Sequence, residues 1–199
     1  FALTHPIVGN PALEPETSTS LDLGVSAEWW ERRAHTGATV FHHRFFDVID
    51  FDEGPPPRLV NRSEVTAQGV ELEGGLRLPP HAEIRAHVTY TQTDIEGTDE
   101  ALRNRPKWRA GIDAQARIKK RWTASGAWLY VGKVWDSSIP TGDVELTGYT
   151  RVDLAATWTP SSLWQASVGV DNVLNARYEE AVGFPATGRT PRVLIRANF

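Results

Sequence analysis

Along most of this chain, apolar and polar side chains alternate with a period of two rather than the three-to-four spacing of an amphipathic helix. Val152, Leu154, Ala156 and Trp158 interleave with Arg151, Asp153, Ala155 and Thr157. Trp108, Ala110, Ile112, Ala114, Ala116 and Ile118 stand against Lys107, Arg109, Gly111, Asp113, Gln115 and Arg117, and Val193, Ile195, Ala197 and Phe199 against Arg192, Leu194, Arg196 and Asn198. On a strand, successive side chains point to opposite faces, so each segment carries one apolar and one charged face. The pattern predicts strands near 18–32, 38–50, 63–77, 82–95, 106–118, 122–136, 148–159, 163–174 and 189–199. The 13 prolines fall between these spans or within their first residues, as a ladder that uses every N–H requires.

The predicted connectors alternate in length, short at 33–37, 78–81, 119–121 and 160–162, long at 51–62, 96–105, 137–147 and 175–188. A soluble meander has no physical reason to alternate. An outer-membrane barrel does, because tight turns gather at one rim and longer loops at the other. The aromatics follow the same division. Trp29, Trp30, Trp122, Trp158, Trp164 and Phe199 lie beside short turns or the last residue, and Phe45, Phe46, Tyr90, Trp108, Tyr130, Trp135 and Tyr149 lie toward the long loops. Indole and phenol rings favour the headgroup level, where ring and polar tip are both satisfied.

Composition narrows the reading. With 40% hydrophobic and 23% charged residues the chain is not disordered, and with no cysteine it has neither disulfides nor thiolate metal sites. A net charge of −4, with Lys119-Lys120-Arg121 as its one basic cluster, gives no footprint for nucleic acid. No apolar run is long enough for a spanning helix, so a membrane role has to come from strands. Charges such as Arg109, Asp113, Arg151, Asp153 and Arg192 would be costly inside a small soluble barrel, where an unpaired charge costs several kcal/mol. Facing a wet or plugged lumen, they stay hydrated. The expected fold is therefore all-β: antiparallel, up-and-down transmembrane β-barrel strands with the apolar side turned to lipid.

Three stretches carry a family resemblance. Asn10-Pro11-Ala12-Leu13-Glu14-Pro15-Glu16 resembles an Asn-Pro-x-Leu-x-Pro-Glu segment; Gly69-Val70-Glu71-Leu72-Glu73 is similar to a Gly-hydrophobic-Glu strand after a long loop; and Asp171-Asn172-Val173-Leu174-Asn175-Ala176-Arg177-Tyr178-Glu179, with Gly188-Arg189 and Phe199, resembles a closing segment. Together they are similar to the C-terminal part of the barrel of TonB-dependent outer-membrane receptors, most nearly the cobalamin and ferric-siderophore group. Two positions depart from the pattern: Val173-Leu174-Asn175 replaces Leu-Phe-Asp, and Ala197 stands where an aromatic is common.

The resemblance implies a plugged barrel of about 22 strands, of which this chain supplies about nine. It implies import of a ferric siderophore or cobalamin-like metal chelate, energised by the TonB complex through an N-terminal part, with outer-membrane lipid and the barrel-assembly machinery as further partners. Residues 1–199 are expected to be the C-terminal part of such a barrel, with the plug outside this chain, because Phe stands at position 1 and there is no methionine. The segment from Phe1 to Thr17 is expected in an extracellular loop, and the isolated sheet is expected to be open. Phe199 would serve as the barrel-assembly signal. The substrate-contact candidates are Trp135, Asp136, Tyr178, Glu179, Phe184 and Arg189, on two long loops.

No resident cofactor, bound metal or catalytic site is expected, since nucleophile-elbow, zinc-helix and phosphate-loop patterns are missing. Adjacent His42 and His43 point to opposite faces, and Glu83, Arg85 and His87 read as a lumen ladder. Glu71 and Glu73 read as lumen contacts with a plug or a neighbouring Arg. The acidic stretch Asp94, Glu96, Asp99 and Glu100 reads as a solvated loop ahead of a calcium site. Two other readings stay open at this point: an outer-membrane barrel enzyme using His87 or Asp99, and a soluble antiparallel binding module.

Overall fold

The computed structural model describes residues 3–52, 54–78, 80–97, 102–138 and 140–198, apart from the side chains of Arg62 and Ser63. Phe199, Asp99 and Glu100 lie outside the described residues. Thirteen strands follow one another: β1 (Thr17–Trp29), β2 (Ala34–Asp52), β3 (Arg58–Leu78), β4 (Ala82–Ile95), β5 (Trp108–Lys119), β6 (Trp122–Val131), β7 (Val134–Ser138), β8 (Gly142–Leu146), β9 (Tyr149–Trp158), β10 (Trp164–Asp171), β11 (Glu179–Ala181), β12 (Phe184–Pro185) and β13 (Thr190–Ala197). Nine form one antiparallel sheet in the order β1-β2-β3-β4-β5-β6-β9-β10-β13, while β7-β8 and β11-β12 are separate hairpins in the loops. β1 and β13 are the two open edges, so the sheet does not close.

The register puts every apolar series on one face. Crossing the sheet at mid-height, Val25 faces Ala38, Ala38 faces Leu72, Leu72 faces Val88, Val88 faces Ala110 and Ala110 faces Tyr130. Gly126 then faces Leu154, Leu154 faces Val170, and Val168 faces Val193. Nothing covers this face among the described residues: Leu23 is 72% exposed, Val168 56% and Val193 75%. A soluble sandwich would bury it under a second layer, and all nine strands belong to one layer. From Val70 to Leu78 the belt rises about 26 Å along the strand, enough, once tilted, for the roughly 25 Å apolar band of an outer-membrane barrel.

The opposite face is polar and concave. Glu83 and Arg85 of β4, Asp113 and Gln115 of β5, Ser125 of β6, Asp153 of β9 and Arg192 of β13 line one hollow of about 440 Å³, which requires the sheet to curl toward them. Arg85 donates to Glu83 at 2.8 Å, Arg192 pairs with Asp171 at 2.6 Å, and His43 meets Asp22 at 3.0 Å. His42 lies on the apolar-face register opposite Gln68, so the two adjacent histidines do part company.

Among the described residues the buried apolar ones are Val65, Ile95, Val131, Leu146 and Tyr178, all toward the long-connector rim. The loops thus fold over that end of the lumen, while the middle of the sheet has no core of its own. Residues 3–16 join this rim: the Leu59 N–H donates to the Val8 carbonyl at 2.9 Å, and Asn61 Oδ1 accepts from the Glu14 N–H at 2.9 Å.

Several boundaries differ from the sequence pattern. The stretch 122–136 is not one strand: β6 stops at Val131, and Gly132 bonds back to Trp108 at 2.8 Å while the chain leaves the sheet. Gly148 packs there against the Val131 carbonyl so closely that a Cβ would lie 2.8 Å away. The span 163–174 ends at Asp171, because Asn172 takes a φ of 51°. The connector 51–62 contracts to 53–57, since β2 and β3 continue through both of its ends as a tall hairpin. Phe45 and Tyr149 stand at the long-loop rim as expected but pair with Val65 and Val131 on the lumen face, so neither belongs to the lipid-side girdle.

Candidate functional site

The long connectors build a single structured cluster. Gly142 and Gly183, at φ of 65° and 81°, reverse the chain at the tips of β7-β8 and β11-β12, a conformation that costs glycine nothing. These two hairpins are fastened to each other and to the β4-β5 loop through Asp136. This carboxylate, 7% exposed, accepts from Asn104 Nδ2 at 3.2 Å and from the Val182 N–H at 2.7 Å. The Asn104 N–H donates to the Trp135 carbonyl at 2.8 Å. Arg103 adds an ion pair to Asp143 at 3.4 Å and lies over the Phe51 ring. Glu145 bonds to Lys133 and raises its ammonium pKa above the ordinary value, first through that hydrogen bond and then through its charge.

A second knot holds the last loop. Asn172, 2% exposed, donates through Nδ2 to the carbonyls of Ala176 and Thr187 and accepts the Ala176 N–H at 2.8 Å; its own N–H donates to Asp153 at 2.8 Å. Arg189 donates twice to the Val173 carbonyl, at 3.0 and 2.7 Å, and its N–H bonds Asn175 Oδ1. The stretch singled out in the sequence is therefore a turn held by its two asparagines, both at positive φ, a region Asn tolerates better than most residues.

The six candidate residues fall into two groups. Trp135 is 43% exposed on β7 and Phe184 is 72% exposed on β12, so both present a free aromatic surface. Tyr178 is buried and stacks on Tyr149 with centroids 3.6 Å apart. Glu179 accepts from the Gly183 N–H at 3.1 Å across its hairpin. Together with Asp136 and Arg189, these residues hold the loops in shape. Between the hairpins lies a hollow of about 430 Å³ lined by Glu145, Leu146, Thr147, Arg177, Tyr178, Glu179 and Pro185. Sequence reasoning passed over Asn104 and Glu145. Asn172 and Arg177 lay inside the closing stretch with no role given to them, and the predicted strand over 163–174 ran straight through Asn172.

The sequence pattern described as "TonB dependent receptor-like, beta-barrel" matches residues 2–173. The chain belongs to this family. It is accordingly a chain of the bacterial outer membrane, and its strands are barrel strands. It is 25% identical over 178 residues to the metal-pseudopaline receptor CntO of Pseudomonas aeruginosa, covering 85% of this chain and 25% of that protein. It is also 25% identical over 211 residues to the vitamin B12 transporter BtuB of Vibrio cholerae, covering 98% of this chain and 31% of that one. The solved ferripyoverdine receptor of the outer membrane of Pseudomonas aeruginosa superposes with a TM-score of 0.77 at 20% identity over 96% of this chain and 28% of that one, a likeness of fold. The chain thus spans about a quarter to a third of the length of these relatives.

Proposed function

We propose that these residues are the C-terminal part of a roughly 22-stranded, plugged barrel that imports a metal chelate, a ferric siderophore or cobalamin-like molecule, across the outer membrane without covalent chemistry. The observation that supports this best is the loop cluster over the lumen mouth: Asp136 fixes two hairpins and a third loop around a hollow, leaving Trp135 and Phe184 uncovered. A chelate presents flat or apolar ligand surface around its metal, and exposed aromatic rings on a prefixed frame bind such surface at low entropic cost. In this reading Trp135 and Phe184 touch the chelate, Tyr178 and Glu179 line the hollow, and Asp136 and Arg189 hold the loops that carry them. Below them the lumen ladder of Glu83, Arg85, Asp113, Asp153 and Arg192 offers hydrogen bonds to a plug. TonB would act through the N-terminal part of the full receptor, lipid would cover the apolar face, and Phe199 would be read by the assembly machinery.

The full-length receptor, expressed in a Gram-negative host stripped of its own chelate receptors, is expected to restore uptake of a radiolabelled ferric siderophore or labelled cobalamin. Uptake should stop in cells without TonB or after collapse of the inner-membrane proton gradient. Uptake indifferent to both would make the barrel a passive pore and sink the energised reading. Failure with a broad panel of chelates would sink the receptor reading altogether.

A further inference from the structure

The basic cluster Lys119-Lys120-Arg121 has no part in the loop cluster or the lumen, and its place in the fold is specific. It forms the turn between β5 and β6 at the short-connector rim. The pairing of these strands shifts between Arg117 and Lys119, so that Arg117 faces Thr123 on the lumen side while Lys119 faces Trp122. Regular alternation would return Lys119 to the lumen parity of Arg117, Gln115 and Asp113. The bulge instead brings it to the register of the apolar face. Trp122 in turn faces Trp158, with the two rings stacked at 6.2 Å, and Ile118 beside them is 66% exposed. Trp29 and Trp164 end their strands at the same rim. That level is where a barrel meets the headgroups.

The four short connectors differ in charge balance. At 30–33, Arg32 pairs with Glu28 at 2.7 Å and Arg33 lies 3.7 Å from Glu31, so that turn neutralises itself. At 79–81, Arg77 lies 3.9 Å from Glu83, and 159–163 carries no charge. Among the described residues, no carboxylate pairs with Lys119, Lys120 or Arg121, all three of which are exposed. Three exposed cations, of which Lys119 shares the apolar-face register with a stacked indole pair, fit an anion that carries its own apolar tail.

We propose that Lys119, Lys120 and Arg121 form a headgroup site for an anionic phospholipid, taking its phosphodiester between them while its acyl chains run along Ile118, Trp122 and Trp158. The assignment uses the barrel reading for the placement of this rim and nothing of the transport reading. A zwitterionic headgroup would bring its own ammonium to a turn already holding three cations, so charge complementarity selects a net negative lipid. Each cation near an anionic surface contributes about a fivefold preference.

The test uses the purified full-length receptor equilibrated with equal amounts of phosphatidylglycerol and phosphatidylethanolamine and examined by native mass spectrometry. The unaltered receptor is expected to retain phosphatidylglycerol preferentially. K119Q should lower that preference about fivefold, and K119Q/K120Q/R121Q should abolish it, whereas R105Q/K107Q on the other rim should not change it. Equal retention of both lipids by the unaltered receptor overturns the proposal, and this arm does not depend on any variant folding. Displacement of the lipid by excess inorganic phosphate would make this a free-anion site and overturn the lipid assignment. So would a triple variant that keeps its lipid but loses uptake, which would mark a periplasmic protein contact. Loss of lipid preference with uptake intact is the expected combination and leaves the receptor reading standing.

Discussion

Replacing Leu154 with Arg is expected to destabilise the assembled barrel by about 2–4 kcal/mol, while Ala155→Arg, one residue along the same strand, costs about 1 kcal/mol or less. Leu154 lies midway along β9, faces Gly126 and Val170 on the apolar side, and is 50% exposed with no protein layer over it. In a membrane that exposure is to hydrocarbon, and a guanidinium there has to be buried uncompensated or drag water to the midplane. Ala155 lines the polar hollow with Asp153 and Arg192, where an added cation finds water and a carboxylate. The measurement is the denaturation midpoint of the full-length receptor refolded into lipid vesicles. Equal losses at the two positions would mean that the faces have been assigned wrongly.

Asp136→Ala is expected to weaken chelate binding at least tenfold while leaving that midpoint unchanged. The substitution removes the acceptor of both the Val182 N–H and the Asn104 amide. Both are hydrogen bonds to a buried carboxylate, and bonds to a charged group are worth about 1.5–3 kcal/mol each, more than the roughly 1.4 kcal/mol that corresponds to tenfold in affinity. The two hairpins and the β4-β5 loop then part, and Trp135 and Phe184 lose their common frame. Asp136→Asn retains one carbonyl oxygen for Val182 and should fall between. Equilibrium binding of the chelate to the purified receptor reads both variants, and undiminished binding by Asp136→Ala would show that the frame does not position the contact.

The sheet was readable because its information is local. Each strand displays its two faces within a few residues, as at Arg151 to Trp158, and the register then has to match apolar to apolar. The tall β2-β3 hairpin was underestimated at its tip, since Phe51 and Asp52 on one strand and Arg58 to Arg62 on the other flank Gly54 and three consecutive prolines and resemble a loop by composition. The break at Gly132 was hidden because apolar residues continue on both sides of it. The site was less legible. Asp136 could be named as a candidate, but its partners Asn104 and Val182 are 32 and 46 residues away, and no spacing rule links them. The Lys119 bulge was invisible for the opposite reason: counted by twos, Lys119 belongs to the lumen, and only the pairing with Trp122 shows otherwise.

One face of this sheet meets lipid and the other an aqueous or plugged lumen. The chain has no cysteine, so single cysteines can be introduced at each position from 151 to 158 in a full-length receptor otherwise free of them, spin-labelled, and examined in vesicles. Collision with oxygen should peak at positions 152, 154, 156 and 158, and collision with a water-soluble nickel chelate at 151, 153, 155 and 157. A uniform profile, or the two maxima exchanged, would mean that the apolar series does not face lipid.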